Sequence, residues 1–133
     1  MYKILLAGQD PRLLATRAAV LRKISDHVVS CNSSEALKIL ESETTNLVVL
    51  CHSLSVEEAE TIADKAHERA QGTRVLMLIS EVNPERQHRD AKFDAVTLPD
   101  PTRLVARTTE LLLGLPTHQL EKVVKGRMSR SGL

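Results

Sequence analysis

The residue with the greatest chemical potential in this chain is Cys51, which closes the apolar run Leu47-Val48-Val49-Leu50 and is followed by His52 and Ser53. A continuous apolar run between polar flanks is the pattern of a strand buried on both faces, as in the middle of a parallel sheet. Open α/β sheets place their chemistry just beyond the carboxyl ends of the strands, so the residue leaving a central strand is where a working group is expected. A thiol beside an imidazole can serve as nucleophile or redox sensor when helix N-termini or a cationic neighbour lower its pKa. In apolar surroundings the same thiol is a small inert filler. Cys51 lacks a CxxC partner, and neighbours on an extended strand point to opposite faces, so His52 is not expected to reach it. The filler reading is therefore preferred.

Other candidate groups reduce to ordinary roles. Cys31 and Cys51, with His27 and His52, have no zinc-motif spacing, and two strands flanking a third would hold the thiols roughly 10 Å apart, too far for one tetrahedral ion. Neither a metal nor a cofactor is expected. Gly8 alone lacks a phosphate-loop fingerprint, and a tight strand-to-helix turn accounts for it. His67, His88 and His118 lie in polar contexts.

The elements that position Cys51 follow from periodicity. Ile4 to Ala7 reads as a first strand, and Asp10-Pro11 as the cap and first position of a helix. Leu13, Leu14, Ala18, Leu21 and Ile24 stripe that helix to about Ser25-Asp26, with Arg12, Arg17, Arg22 and Lys23 on its solvent face. His27 to Cys31 is a short strand. Asn32 with Glu35, and Ser55 with Glu58, are two capping boxes opening helices before and after the central strand. Ala59, Ile62, Ala63, Ala66 and Ala70 imply close packing of the second of these on the sheet, with Gly72 as its stop. Arg74 to Ser80 has the composition of another interior strand. Glu81 to Asp90 is polar and contains Pro84, so a short or irregular helix is expected there. Phe93 to Leu98 is the last strand, and Pro99-Asp100-Pro101 starts a helix striped by Leu104, Val105, Thr108, Leu111 and Leu112 and stopped at Gly114. Five strands alternating with helices specify a doubly wound, flavodoxin-like α/β sandwich.

The bulk properties narrow the function classes. The chain has 133 residues and a formal net charge of +1, with no tryptophan, so neither a strong electrostatic footprint nor stacking platforms for nucleic acid are present. No apolar run approaches the roughly 18 residues of a membrane span, and the start of the chain is too short for a signal-peptide core. Two cysteines without a framework fit a reducing compartment, so a cytoplasmic location is expected. Residues 1–115 are expected to form one domain. Residues 116–133 are expected to be a basic tail, with Lys122, Lys125, Arg127 and Arg130 against Glu121 and a weak stripe of Leu120, Val123, Val124 and Met128.

With these elements placed, the strand ends resemble the receiver domain of two-component response regulators (CheY-like) over about residues 1 to 115. ILLAGQDP has the shape of the receiver's first strand and acidic pair, with Gly8 and Gln9 at the acidic positions and Asp10 beside them. NLVVLC aligns with the segment that ends in the phosphoacceptor aspartate, which puts Cys51 at that position. Ile79-Ser80 stands where a hydroxyl residue followed by alanine is usual. Leu98-Pro99 keeps only the proline of the Lys-Pro pair, and the aromatic switch falls at Ala95. The resemblance implies strand order 2-1-3-4-5 and a degenerate receiver lacking the phosphoacceptor aspartate.

Phosphoryl transfer to a receiver needs clustered carboxylates for Mg²⁺, an attacking aspartate oxygen and a lysine to pair the new charge. These are missing together. The resemblance thus implies a stand-alone, phosphorylation-independent interaction module in two-component signalling, not an enzyme. Its expected partner is a protein, a signalling protein or histidine kinase, or a second copy meeting through the expected fourth helix and fifth strand (Val82 to Thr97) and the last helix. Val105 and Leu112, or the Leu120-Val123-Val124 stripe, would anchor such a contact. Membrane and nucleic acid are not expected partners. The alternative is a thiol-based sensor or enzyme using Cys51.

Overall fold

The computed structural model describes residues 2–69, 72–79 and 93–114. Five parallel strands, β1 (Lys3–Ala7), β2 (His27–Cys31), β3 (Leu47–Leu50), β4 (Arg74–Leu78) and β5 (Ala95–Thr97), form one sheet in the order β2-β1-β3-β4-β5. The central run is thus the middle strand. Helices α1 (Pro11–Leu21) and α4 (Pro101–Leu113) cover one face, and α2 (Ser33–Ser42) and α3 (Val56–Arg69) the other.

This two-sided cover explains the uninterrupted apolar strands. Leu5, Ala7, Val48, Leu50, Val75 and Met77 pack under α2 and α3, whereas Ile4, Leu6, Leu47, Val49, Leu76 and Leu78 pack under α1 and α4. Each such leucine, isoleucine or valine, removed from water, stabilises the fold by about 1.5–3 kcal/mol. Register is shared across the sheet: Ala7 lies opposite both Cys31 and Leu50, and Leu50 opposite Met77, so the carboxyl ends of four strands form one row.

The expected helix starts are present. Asp10 caps α1 with Pro11 at its first position, Asn32 and Glu35 form a reciprocal box on α2, and Asp100 caps α4, which ends at Gly114 in the left-handed conformation. Other boundaries differ. α1 ends at Leu21, short of Ser25-Asp26, because the Ser25 hydroxyl donates to the Tyr2 carbonyl and accepts from the His27 N–H, turning the chain into β2. β5 spans three residues, since the Asp94 carboxylate binds His67 Nε2 (2.9 Å) and the Val75 N–H (2.7 Å) just before it. α3 is described as far as Arg69; Ala70 is outside the described residues, as are Ser80, the segment expected as a fourth helix, His88, and the tail at 116–133 with His118.

Candidate functional site

The carboxyl ends of β1 and β3 lie side by side, and Gly8 is where they crowd. Its N–H donates to the Cys31 carbonyl at 3.0 Å. A Cβ at this position would lie 3.1 Å from each of Cys51 Cβ, Leu14 Cδ2 and Ser53 Oγ. Gly114 is the one glycine with a left-handed φ among the described residues, so Gly8 is needed for space and not for turn geometry. That corrects the reading of Gly8 as a turn glycine.

Gln9 bridges two loops. Its N–H donates to Ser53 Oγ (2.9 Å) and its Nε2 to Glu58 Oε2 (2.6 Å). The same Glu58 oxygen accepts from Ser33 Oγ (2.7 Å), while Oε1 accepts the Ser55 N–H (3.0 Å) and Ser55 Oγ accepts the Glu58 N–H (3.1 Å). The capping box on α3 is therefore real, and its carboxylate also ties together the loops after β1, β2 and β3. The Ser33 hydroxyl, then the Ser55 backbone, holds the Glu58 carboxyl below its usual range. Sequence spacing registered Glu58 as a cap and missed this second role. Asp10 Oδ1 is engaged in capping, accepting from the N–H groups of Arg12 (3.0 Å) and Leu13 (3.5 Å).

Cys51 is 1% exposed, and its N–H donates to the Ala7 carbonyl at 2.9 Å. Burial pushes its thiol up, and the Arg17 guanidinium beside it pulls the other way without prevailing. Cys31, also buried, is pushed up to about 12 by burial and the nearby Glu35 charge. The two thiols sit in different halves of the core, Cys31 under α2 and α3 and Cys51 under α1 and α4, so the sheet itself separates them. Among the described residues no group of three or more His, Cys, Asp and Glu side chains is placed to hold a metal ion.

Arg17 is the main departure from the sequence reading. Placed there on the solvent face of α1, it is 5% exposed. It adjoins the buried stripe of Leu14, Ala18 and Leu21, and a long helical side chain leans toward the helix N-terminus, so its head reaches the end of β3. Arg17 Nη2 stands 3.4 Å from His52 Nδ1. A guanidinium only donates, so Nδ1 accepts and the ring proton of a neutral His52 is assigned to Nε2. His52 thus meets Arg17 instead of Cys51. Arg17 Nη1 is buried with no hydrogen-bond partner. No periodicity signal separates Arg17 from Arg12 or Arg22; only its adjacency to the stripe hints at burial.

The residues just beyond β4 and β5, Ile79 and Leu98, are apolar. Ile79 is buried and its N–H donates to the Thr97 carbonyl at 3.0 Å. Leu98, half-buried, packs on the α2/α3 side, and half-buried Pro99 precedes the α4 cap. Ala95 lies opposite Leu76 and packs on the α1/α4 side.

This architecture has close counterparts. A CheY-like response regulator receiver domain protein from Methanospirillum hungatei superposes with a TM-score of 0.73 at 23% identity, over 84% of this chain and 94% of that one. The chemotaxis response regulator CheY4 of Vibrio cholerae gives 0.72 at 17%, covering 84% and 98%, and the BeF3-activated DrrB receiver domain 0.71 at 22%, covering 84% and 97%. The chain has the receiver-domain fold. No protein-family model and no curated protein matches its sequence. Among the described residues no helix is long and apolar enough to cross a membrane.

Proposed function

We propose that this chain is a degenerate receiver that takes no phosphoryl group at Cys51 and acts as an adaptor, not an enzyme, by binding a protein partner in two-component-type signalling. The observation that carries the reading is the contact between Gly8 and Cys51. A Cβ at position 8 would already stand 3.1 Å from Cys51, Leu14 and Ser53, so any side chain there, an acidic one included, is crowded. Gln9 is committed to Glu58 and Asp10 to the α1 cap, and among the described residues no cluster of carboxylates is placed to hold Mg²⁺. Leu98 offers no cation to a phosphorylated neighbour. A scaffold kept while its chemistry is removed is suited to binding, with a histidine kinase or another signalling protein as the partner, or a second copy through the β5 and α4 edge.

The test is intact mass of the full chain after incubation with Mg²⁺ and acetyl phosphate, paired with beryllofluoride titration. No added phosphate mass and no beryllofluoride response are expected; either one appearing would overturn the proposal. The second reading, a thiol sensor or enzyme at Cys51, has the adjacent Arg17 guanidinium in its favour and near-complete burial against it. Alkylation of Cys51 at neutral pH faster than an unactivated thiol would promote it.

A further inference from the structure

A cation sits buried at the end of β3, and no ion pair is made to it among the described residues. Arg17 is 5% exposed, and its Nη1 has no hydrogen-bond partner. A buried donor left without a partner is unfavourable, and more so when it carries charge. Two carboxylates described at this end of the sheet are engaged elsewhere, Asp10 on the α1 cap and Glu58 on the loop network. The Arg17–His52 contact of 3.4 Å is at the long end of hydrogen-bond geometry.

We propose that Arg17 anchors a binding site for a small free oxyanion, inorganic phosphate being the representative, between its Nη1, His52 and the end of β3. Of Arg17, Cys51 and His52, His52 is the half-buried one and the other two are buried. His52 Nδ1 is the group that an incoming oxyanion would displace from Arg17, exchanging a 3.4 Å contact for charge-assisted bonds from a planar, two-pronged donor. Enclosure of the guanidinium selects an unattached ion over the same group carried on a peptide or lipid. The anion arrives at the carboxyl end of the central strand without a covalent bond forming.

The site stands apart from the adaptor reading, because non-covalent phosphate leaves no mass on denatured protein. The experiment is an NMR titration of the full chain with sodium phosphate at ionic strength fixed by sodium chloride, following the Arg17 Nε–Hε signal and the Cys51 and His52 amides. A saturating shift at all three is expected. Arg17→Met weakens it by about ten- to a hundredfold, the worth of one or two charge-assisted hydrogen bonds. A non-saturating drift at Arg17, or saturation confined to surface lysines, overturns the proposal. The Arg17 signal is read on the unaltered protein, so the test survives a variant that does not fold.

Discussion

The Gln9 side-chain amide donates to Glu58 Oε2 at 2.6 Å, joining the loop after β1 to the first turn of α3. The pairing explains why position 9 carries an amide. A carboxylate at 9 would face a carboxylate already held by Ser33 and Ser55, and one of the two would have to give up its proton-free form or its place.

Gln9→Glu is accordingly expected to lower stability at pH 7 by about 0.5–1 kcal/mol, the scale of like-charge contacts near a surface. The repulsion raises the folded-state pKa of the pair, so the loss is present at neutral pH and fades on acidification. Urea midpoints of the variant and parent that differ equally at neutral and acidic pH would refute this.

Gly8→Asp, which puts an acid at the position that the proposed reading aligns with a receiver's acidic pair, is expected to overpack the junction with Cys51 and to destabilise by about 1–3 kcal/mol. Because the blocking atom of Cys51 is its Cβ, the Cys51→Ala background should leave that part of the cost in place. Equilibrium denaturation of the four combinations checks both statements.

Cys51→Asp puts a carboxylate where the proposed reading places a receiver's phosphoacceptor, yet the variant is expected to remain unphosphorylated with Mg²⁺ and acetyl phosphate. Its carboxylate pairs with Arg17 instead. A double-mutant cycle with Arg17→Met should show a coupling of about 1–3 kcal/mol, and a coupling near zero would place the two groups out of reach of each other.

The stability of the protein should fall on acidification in part through Glu58. Hydrogen bonds lower its folded pKa from the ordinary 4.5, so its contribution is present above that value and is lost as pH falls through the depressed folded pKa. Glu58→Gln should therefore flatten the pH profile of the urea midpoint below about pH 5. An unchanged slope would show that Glu58 does not report on folding.

The fold was legible because local and global signals agree. Apolar strands demand cover on both faces, and Asp10-Pro11, Asn32-Glu35 and Asp100-Pro101 mark helix starts whose caps are all made. The surroundings of Cys51 were legible only in part. Gly8 lies against Cys51, and Gln9 reaches Ser53, but a helical wheel cannot tell that Arg17 folds its stem inward while Arg12 stays outside. Glu58 satisfies a local capping signature completely, so nothing in the sequence betrays its bonds to Ser33 and Gln9. The crowding at Gly8 is a three-body contact among residues from β1, α1 and the loop after β3, and spacing within one segment carries no trace of it.

Because the sheet places Cys31 and Cys51 in opposite halves of the core, the molecule carries a built-in reporter for each layer. Native-state alkylation of Cys31 times the lifting of α2 and α3, and that of Cys51 times the lifting of α1 and α4. Equal rates would mean that the two layers open as one cooperative unit; unequal rates would rank them and show which side of the sheet yields first.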